Sequence, residues 1–400
     1  MSVIIINSST GMKLLHTSDW HLGRQFHNVS LLDDQRHALA QLIEMIIDQS
    51  PDVLIIAGDI YDRSVPPAAA VTLLDETLHR ICDELAVPVI MISGNHDSAQ
   101  RLSFGARQLQ RGGLHILGDL QRVTEPVVIT VDGVDSHFYG IPYCDPESVR
   151  HTFFDDLQQE GAPKIKDYDS AHTFLVDKIK AVMPACTNNV LISHCFVAGA
   201  EASDSERPLS IGGADQVSST PLLEFDYVAL GHLHSPQYRG AETIRYSGSL
   251  LKYSFSEQYQ HKSVTKVELS SAVDAVITQL PLQARRDVRI LEGELSELIK
   301  LGAADEHCDD YVLVRLTDTH AILDPMGKLR QVYPNVLHLE RPGLMSEGQV
   351  HCARNTLKRG SLEMFKDFFT QVSGNQLTEA QAEALVSTIS GLEKSVQEQK

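Results

Sequence analysis

Seven residues of metal-ligand type occur in five short blocks, and each block follows an apolar run. Four are histidines, two are aspartates and one is an asparagine, so together they offer imidazole nitrogens and side-chain oxygens. A mixed nitrogen and oxygen set without thiolate suits Mn²⁺, Fe²⁺ or Zn²⁺ better than it suits a cysteine-bound structural zinc. Two such cations held side by side form the kind of site that hydrolyses phosphate esters. The seven are Asp19, His21, Asp59, Asn95, His194, His232 and His234.

The spacing within the blocks supports one shared site. Asp19 and His21 are two residues apart, so on an extended segment they would face the same way, and His232 and His234 have the same spacing. A carboxylate such as Asp59 can bridge two metals through its two oxygens. Each short motif is weak alone, because such pairs are common on surfaces and in cores. Five motifs in this order, each after an apolar run, predict a dinuclear centre.

Two neighbours of the ligands are predicted to act on the substrate. The charge of two divalent cations exceeds that of two carboxylates, which leaves a positive surplus for a phosphodiester anion. Metal coordination lowers the pKa of water from about 16 to about 7, so a nucleophile is available at neutral pH. His96 follows the ligand Asn95 and would stabilise the transition state or protonate the leaving oxygen. Asp97 would orient the ring of His96.

The elements that must position these blocks are strands and helices in alternation. Helix-period stripes lie between the first three apolar runs, at Leu39–Ile47 and, after Pro66 and Pro67, at Val71–Leu85, and we predict that both are core faces. Ligands of α/β sheets bind at the carboxyl ends of strands, so the five runs should deliver the blocks to one edge. The runs have the length of buried strands. They are Lys13–His16, Val53–Ala57, Val87–Ile92, Val190–Ile192 and Tyr227–Leu230.

Later segments are richer in strand patterns, which favours a two-sheet β-sandwich flanked by helices over one doubly wound sheet. We therefore predict an α/β (α+β) fold with a main domain over residues 12–275. Residues 285–342 read as strand, helix, strand, helix, strand, which predicts a small α/β domain.

The chain ends in two helical patterns, Ser361–Ser373 and Thr378–Leu392, within a segment over residues 355–400. Thr378 and Gln381 have the spacing of a capping box at the start of the second pattern. The apolar face of the first pattern either packs on the main domain or binds a partner, and the sequence favours neither.

Composition limits the class of protein. The 42% apolar fraction is ordinary for a folded domain, and no apolar run reaches the roughly eighteen residues of a membrane span. The net charge of −19 argues against a simple basic nucleic-acid sleeve. The six cysteines are scattered, which favours reduced thiols and a cytoplasmic location, and Cys195 reads as a buried apolar residue rather than a ligand. Phosphate-binding glycine motifs are absent, so we expect no nucleotide on this chain.

Longer stretches around the blocks carry a resemblance to a known family. They are Leu15–Gly23, Ala57–Asp62, Ser93–Ser98, Asp226–His234 and Arg245–Glu257. Together they resemble the calcineurin-like metallophosphoesterase family. The last stretch makes the chain most similar to the SbcD-type nuclease subunits within it. The resemblance is strong over 12–270 and extends to 285–400 only in layout.

The resemblance implies a Mn²⁺-dependent DNA nuclease that cuts duplex ends as an exonuclease and cuts hairpins and single strands as an endonuclease. It implies two Mn²⁺ ions (with Mg²⁺, Fe²⁺ or Zn²⁺ as alternatives), a homodimer, and an SbcC-type coiled-coil ATPase as partner in nucleoid-associated DNA repair and recombination. Residues 285–342 would then be a DNA-contacting capping domain, and 355–400 a helical segment that binds the ATPase. It also implies His96 as the catalytic histidine. The ligand sets that it implies are Asp19, His21, Asp59 and His234 for one metal and Asp59, Asn95, His194 and His232 for the other.

Alternatives remain open at the level of sequence. A dinuclear phosphodiesterase or phosphatase with non-DNA substrates has the same ligands, and a scaffold that has lost its metals is the non-enzymatic reading. The loop Phe196–Thr220 either lines the DNA path or is a solvated surface loop. Arg285, Arg286 and Arg289 form either a phosphate-contacting cluster or part of a solvated linker.

Overall fold

The computed structural model describes residues 11–185, 188–206, 215–270 and 273–342, together with 366, 369, 376–386 and 388. The chain divides into two compact units, Met1–Arg285 and Arg286–Lys400. The predicted helix Ser361–Ser373 and most of the segment 355–400 lie outside the described residues. Within 376–386 the predicted capping box is confirmed, because the amide of Gln381 donates to the Thr378 hydroxyl (3.4 Å) and the amide of Thr378 donates to the Gln381 side chain (3.0 Å).

In the first unit helices lie between many of the earlier strands, whereas from β9 onward its described residues form strands and short helical turns. Its strands are β1 (Met12–Thr17), β2 (Gln25–Phe26), β3 (Val29–Ser30), β4 (Val53–Ala57), β5 (Val89–Ile92), β6 (Leu114–Leu117), β7 (Val127–Val131), β8 (Val134–Ile141), β9 (Asn188–His194), β10 (Phe196–Val197), β11 (Gln216–Val217), β12 (Tyr227–Gly231), β13 (Gln237–Arg239), β14 (Ala241–Tyr246), β15 (Ser263–Ser270) and β16 (Val273–Pro281). Its helices are α1 (Leu32–Gln49), α2 (Ala68–His79), α3 (Ala99–Leu102), α4 (Ala106–Leu109), α5 (Pro146–Thr152), α6 (Phe154–Leu157) and α7 (Tyr168–Lys180).

Two sheets form a sandwich, which confirms the predicted fold class. One sheet has the order β16-β15-β1-β4-β5-β6 and the other β13-β14-β12-β9-β8-β7. Strands β1, β4 and β5 are mutually parallel neighbours, as are β9 and β12 in the second sheet. The carboxyl ends of the neighbouring strands in each sheet therefore lie at one edge, which is where the ligand-type residues follow.

The sandwich is held by apolar side chains from alternate positions of facing strands. Ile55 of β4 and Ile90 of β5 belong to one buried cluster with Ile192 of β9 and Ala229 of β12. A second cluster packs α7 onto the outer face of the second sheet, where Leu175 contacts the layer that contains Leu191. Burial on both faces explains why these strands read as continuous apolar runs.

The two predicted helical stripes form helices, but their buried faces are narrower than predicted. In α1 the residues Leu39, Leu42 and Ile46 are buried while Ile47 is 49% exposed. In α2 the buried residues include Leu73 and Leu74, whereas Val71 is 44% exposed. The helix α2 begins after Pro67 as predicted and continues through a π-helical turn at Arg80–Glu84. Both stripes are therefore core faces only in part.

The second unit contains the five elements predicted for residues 285–342. They are β17 (Val288–Gly293), α8 (Leu295–Gly302), β18 (Tyr311–Leu316), α9 (Pro325–Leu329) and β19 (Val336–Glu340). The strands pair in parallel in the order β17-β18-β19. Both helices pack on this sheet around a core that includes Leu298, Val314 and Leu329.

Within the described residues, no helix has both the length and the apolar character needed to cross a membrane.

Candidate metal centre

The seven predicted ligands converge at the carboxyl edge of the sandwich. Asp19 and His21 follow β1, Asp59 follows β4, and Asn95 follows β5 in the first sheet. The remaining three come from the second sheet, with His194 ending β9 and His232 and His234 following β12. Of the seven, all but Asn95 are at most 3% exposed. A cluster of histidines and carboxylates this deeply buried needs partners or a cation.

One half of the site lies around His21. Its Nε2 is 3.1 Å from Nε2 of His234, and the two rings meet edge to face. Asp19 joins these two histidines in a group whose ligand atoms lie within 4.8 Å of one another. The backbone amide of His232 donates to both oxygens of Asp19, at 3.1 and 3.2 Å, and fixes the carboxylate.

Asp59 lies between the two halves. Its Oδ2 is 3.6 Å from Nε2 of His21 and 3.6 Å from Nε2 of His194. Its other oxygen accepts the backbone amide of His96 at 2.8 Å. This placement between imidazoles of both sheets is the one that a carboxylate bridging two metals requires.

The other half of the site is gathered around the side-chain oxygen of Asn95. That oxygen is 3.0 Å from Nε2 of His194 and 3.2 Å from Nδ1 of His232. Nδ1 of His194 donates to the carbonyl of Ala57 at 2.9 Å, which leaves the Nε2 lone pair directed at Asn95 and Asp59. The Asn95 oxygen, Nε2 of His194 and Nδ1 of His232 therefore fit the ligand set of a second cation.

The backbone conformation of the ligand residues differs from the extended segments that their spacing predicts. Asp19 and His21 are not extended: their φ angles are 53° and 45°, in the left-handed region, and Asp59 and His232 also have positive φ, at 48° and 105°. Residues other than glycine rarely adopt this conformation, which costs on the order of 1–3 kcal/mol each and concentrates at functional sites. The ligands therefore converge through strained turns after the strands, not through strand alternation.

Close packing of the backbone makes glycine necessary beside the ligands. A Cβ on Gly231 would lie 1.8 Å from the carbonyl oxygen of Ala57, and a Cβ on Gly94 would lie 2.2 Å from Oδ1 of Asp59. Both distances are far below a van der Waals contact, so only glycine allows β12 to approach β4 of the other sheet, and the turn after β5 to approach Asp59, this closely.

Burial sets the protonation of the ligand histidines in the direction that metal binding needs. It lowers the pKa of His21 and of His232 well below the ordinary value, and that of His194 to about 4. These imidazoles are neutral at pH 7 and keep a free lone pair. Burial, followed by repulsion from Asp59, raises the pKa of Asp19 well above its ordinary value, and burial raises that of Asp59. Crowded carboxylates of this kind are stabilised by a bound cation.

His96 lies at the site, but its contacts differ from the prediction. Its ring is 4.6 Å from that of His21, edge to face, and it shares a group of potential ligand atoms with His21 and Asp59. Ring Nδ1 contacts the carbonyl of Asp62 at 2.8 Å. This carbonyl, and not Asp97 as predicted, orients the ring of His96.

Asp97 instead holds the loops that carry Asp59 and Asn95. Its oxygens accept the backbone amides of Ile60, Tyr61 and Gly94 at 2.9–3.0 Å. Burial, reinforced by the charge of Asp59, raises the pKa of Asp97 to about 7. The carboxylate thus links the turn after β4 to the turn after β5.

Several residues outside the predicted set touch the site. Ser205 contacts Nδ1 of His234 at 2.6 Å, and Glu206 accepts the amide of His234 at 2.8 Å. Both belong to the loop Phe196–Thr220, of which residues 207–214 lie outside the described part. The loop therefore reaches the metal-ligand cluster, which no periodicity or motif in the sequence signals.

Arg285, Arg286 and Arg289, for which phosphate contact was one of two alternatives, each contact another residue of the protein. Arg289 contacts Asp305 and Asp310, both at 2.8 Å. Arg286 lies over the ring of Tyr311, with its guanidinium carbon 5.7 Å from the ring centre. Arg289 in particular is a structural residue of the second unit, so it gives the phosphate-contact interpretation no support.

Comparison with known families accounts for most of the chain. Residues 12–236, which include all five blocks, match the calcineurin-like phosphoesterase family. The chain belongs to this family. It is therefore a metal-dependent phosphoester hydrolase by family, with a buried histidine and aspartate group able to bind a dinuclear metal. Residues 284–373 match a second family, SbcD_C, described as the type 5 capsule protein repressor C-terminal domain.

Two solved structures are similar to this chain, and each match covers 68% of this chain and 99% of the chain in the solved structure. One is TT1561 of Thermus thermophilus, with 13% identity and a TM-score of 0.37. The other is a dimetal phosphatase from Danio rerio, with 12% identity and a TM-score of 0.38.

Proposed function

We propose that this chain is a Mn²⁺-dependent DNA nuclease that acts with an SbcC-type ATPase in DNA end processing, repair and recombination. It cuts duplex ends as an exonuclease and hairpins or single strands as an endonuclease. The observation that carries the proposal is the joining, in one chain, of a buried histidine and aspartate group able to bind a dinuclear metal with a C-terminal region that matches the SbcD_C family.

In this proposal the two halves of the site hold one Mn²⁺ each, and Asp59 contributes to both. When bound, two such cations supply a hydroxide nucleophile at neutral pH and neutralise the phosphate charge. One ion would be held by Asp19, His21, Asp59 and His234, and the other by Asp59, Asn95, His194 and His232.

The protein's own residues supply the rest. The carbonyl of Asp62 fixes Nδ1 of His96 and so orients the ring beside His21. From there His96 stabilises charge on the phosphate or protonates the leaving oxygen. His96 is 5% exposed, so it lies within the same buried cluster as the ligands. Low polarity strengthens each of these electrostatic contacts.

The remaining units take the roles that the family likeness suggests. Residues 12–275 form the nuclease domain, the α/β module at 285–342 contacts DNA as a capping domain, and the segment 355–400 binds the coiled-coil ATPase. The proposal includes a cytoplasmic, nucleoid-associated location, for which the free thiols of Cys82, Cys144, Cys195 and Cys308 are the support.

A homodimer is part of the proposal. Exposed apolar side chains border a groove of about 770 Å³ between α2 and the segment containing α3 and α4. Phe104 is 86% exposed there and Val71 is 44% exposed. Clustered exposed apolar groups of this kind mark interaction sites. Light scattering of the purified chain gives the oligomeric state directly.

The second candidate is a phosphodiesterase or phosphatase with non-DNA substrates, which the family membership alone allows. The deciding experiment incubates the protein and Mn²⁺ with end-labelled duplex and hairpin DNA, with and without the candidate ATPase subunit. We expect Mn²⁺-dependent cutting of the hairpin. Ready hydrolysis of a chromogenic diester without any cutting of DNA would favour the second candidate.

A further inference from the structure

His234 is hydrogen-bonded to buried polar side chains that do not belong to the proposed ligand set. Its Nδ1 is 2.6 Å from the Ser205 hydroxyl, and that hydroxyl in turn donates to Glu257. A carboxylate only accepts, so Ser205 gives its single proton to Glu257 and must accept from His234. The chain of contacts therefore places the proton of His234 on Nδ1 and leaves the Nε2 lone pair facing His21.

Lys262 is a second buried side chain that contacts both Glu257 and His234. Its ammonium donates to Oε2 of Glu257 at 2.6 Å, to the carbonyl of His234 at 2.8 Å and to Ser249 at 2.9 Å. Glu257 is fully buried and Lys262 is 6% exposed. Taking both ions out of water is costly, and hydrophobic residues of similar volume are often as stable in such positions. A buried ion pair against a ligand histidine therefore points to a role beyond stability.

The backbone of His234 is fixed as firmly as its ring. Glu206 accepts the amide of His234 at 2.8 Å, and Glu206 is itself held by the amide and hydroxyl of Ser203, both at 2.6 Å. The amide, the carbonyl and Nδ1 each have a buried or partly buried partner. The single polar atom of His234 left for a ligand is Nε2.

We propose that Ser205, Glu257 and Lys262 form a positioning network that sets the tautomer and direction of His234 for one of the two cations. The inference rests on the metal assignment of the proposed function. Partners of this kind orient metal-bound histidines and raise their basicity, and their loss typically costs roughly 10- to 100-fold in metal affinity. The network acts on one half of the site only, because Asn95, His194 and His232 make none of the contacts described above with these three residues.

The test is a calorimetric Mn²⁺ titration in the absence of DNA, which measures binding and not activity. Ser205→Ala removes the connecting hydroxyl and leaves the Glu257–Lys262 pair in place, whereas Ser205→Thr keeps a hydroxyl. We expect Ser205→Ala and Glu257→Gln to weaken one of the two Mn²⁺ sites roughly 10- to 100-fold and to leave the other within about twofold, with Ser205→Thr close to the wild type. Glu268→Gln, which breaks the Lys266–Glu268 pair on β15, the strand that begins directly after Lys262, is the matched control.

The proposal would be overturned by an equal loss of Mn²⁺ affinity at both sites. It would also be overturned by wild-type Mn²⁺ binding in Ser205→Ala and Glu257→Gln. Circular dichroism establishes that each variant is folded, and Ser205→Ala decides the question if Glu257→Gln does not fold. DNA cutting plays no part in this measurement. A wild type that binds two Mn²⁺ but cuts no DNA would refute the nuclease proposal while leaving the network testable.

Discussion

Replacing Gly94 with alanine adds one methyl group to the centre of the site. The new Cβ would lie 2.2 Å from Oδ1 of Asp59 and 2.4 Å from its backbone nitrogen. Contacts below about 3 Å are essentially never seen for this atom, so Asp59 or the turn after β5 must move by about 0.8 Å. The φ of Gly94 is not positive, so the effect is steric and not one of backbone strain.

The size of the effect follows from the position of Asp59 between both halves of the site. A displacement of about 1 Å in a catalytic constellation costs about a hundredfold in rate, equivalent to about 2.7 kcal/mol. Overpacking alone costs about 1–3 kcal/mol of folding stability. We therefore expect Gly94→Ala to be folded, somewhat less stable, and at least about a hundredfold slower at saturating Mn²⁺.

The assay measures Mn²⁺-dependent hydrolysis of a chromogenic diester and of hairpin DNA, with urea unfolding of the same preparations. Gly112→Ala is the matched control, because the nearest atom to its Cβ is 4.0 Å away. We expect the control to keep wild-type rates. A folded Gly94→Ala protein with rates close to the wild type would refute the view that Asp59 must occupy its observed position.

Three further predictions follow from the same geometry. His96→Ala should abolish hairpin cutting while elemental analysis still finds two metals, because the proposed ligand set does not include His96, whose Nδ1 contacts the carbonyl of Asp62; cutting at the wild-type rate would remove its catalytic role. Mn²⁺ at about a hundred times its dissociation constant should stabilise the fold by about 2.7 kcal/mol per site, and thermal melts of Asp59→Ala should lose most of that shift. Burial lowers the pKa of His172 from 6.5 to about 4, so between these values the unfolded chain binds a proton that the folded chain does not. The free energy of unfolding in EDTA should therefore fall on going from pH 7.5 to pH 5 by about 2 kcal/mol more in the wild type than in His172→Gln, and an equal fall would contradict the assignment.

The order of strands and the convergence of the ligands could be predicted from sequence for a physical reason. Strands buried on both faces are continuous apolar runs, and polar residues that follow such runs must lie at a sheet edge. That reasoning located Asp59 and His194 without any knowledge of the turns that carry them. Glycines next to the ligands, such as Gly94 and Gly231, are visible in the motifs, but their steric necessity appears only in the folded protein, where Gly231 packs against β4 of the other sheet and Gly94 packs against Asp59.

The parts of the site that could not be predicted from the sequence are contacts between segments that are distant in the chain. Ser205 and Glu257 are more than fifty residues apart in the chain and meet only in the folded protein. The role of Asp97 was misjudged because its nearest neighbour in sequence is His96, whereas its hydrogen-bond partners include Ile60 and Tyr61 on another turn. Helix α7 is a different case, since Asp167 and Ser170 form a capping box ahead of an apolar stripe and could have been recognised.

The most direct test of the central claim is the anomalous scattering of Mn²⁺ in crystals of the wild-type protein. Two peaks should appear about 3.5–4 Å apart, as in other two-metal sites. One should lie against Asp19, His21 and His234, the other against Asn95, His194 and His232, and Asp59 should contact both. A single peak, or peaks away from this cluster, would contradict the account of these seven residues as a dinuclear centre.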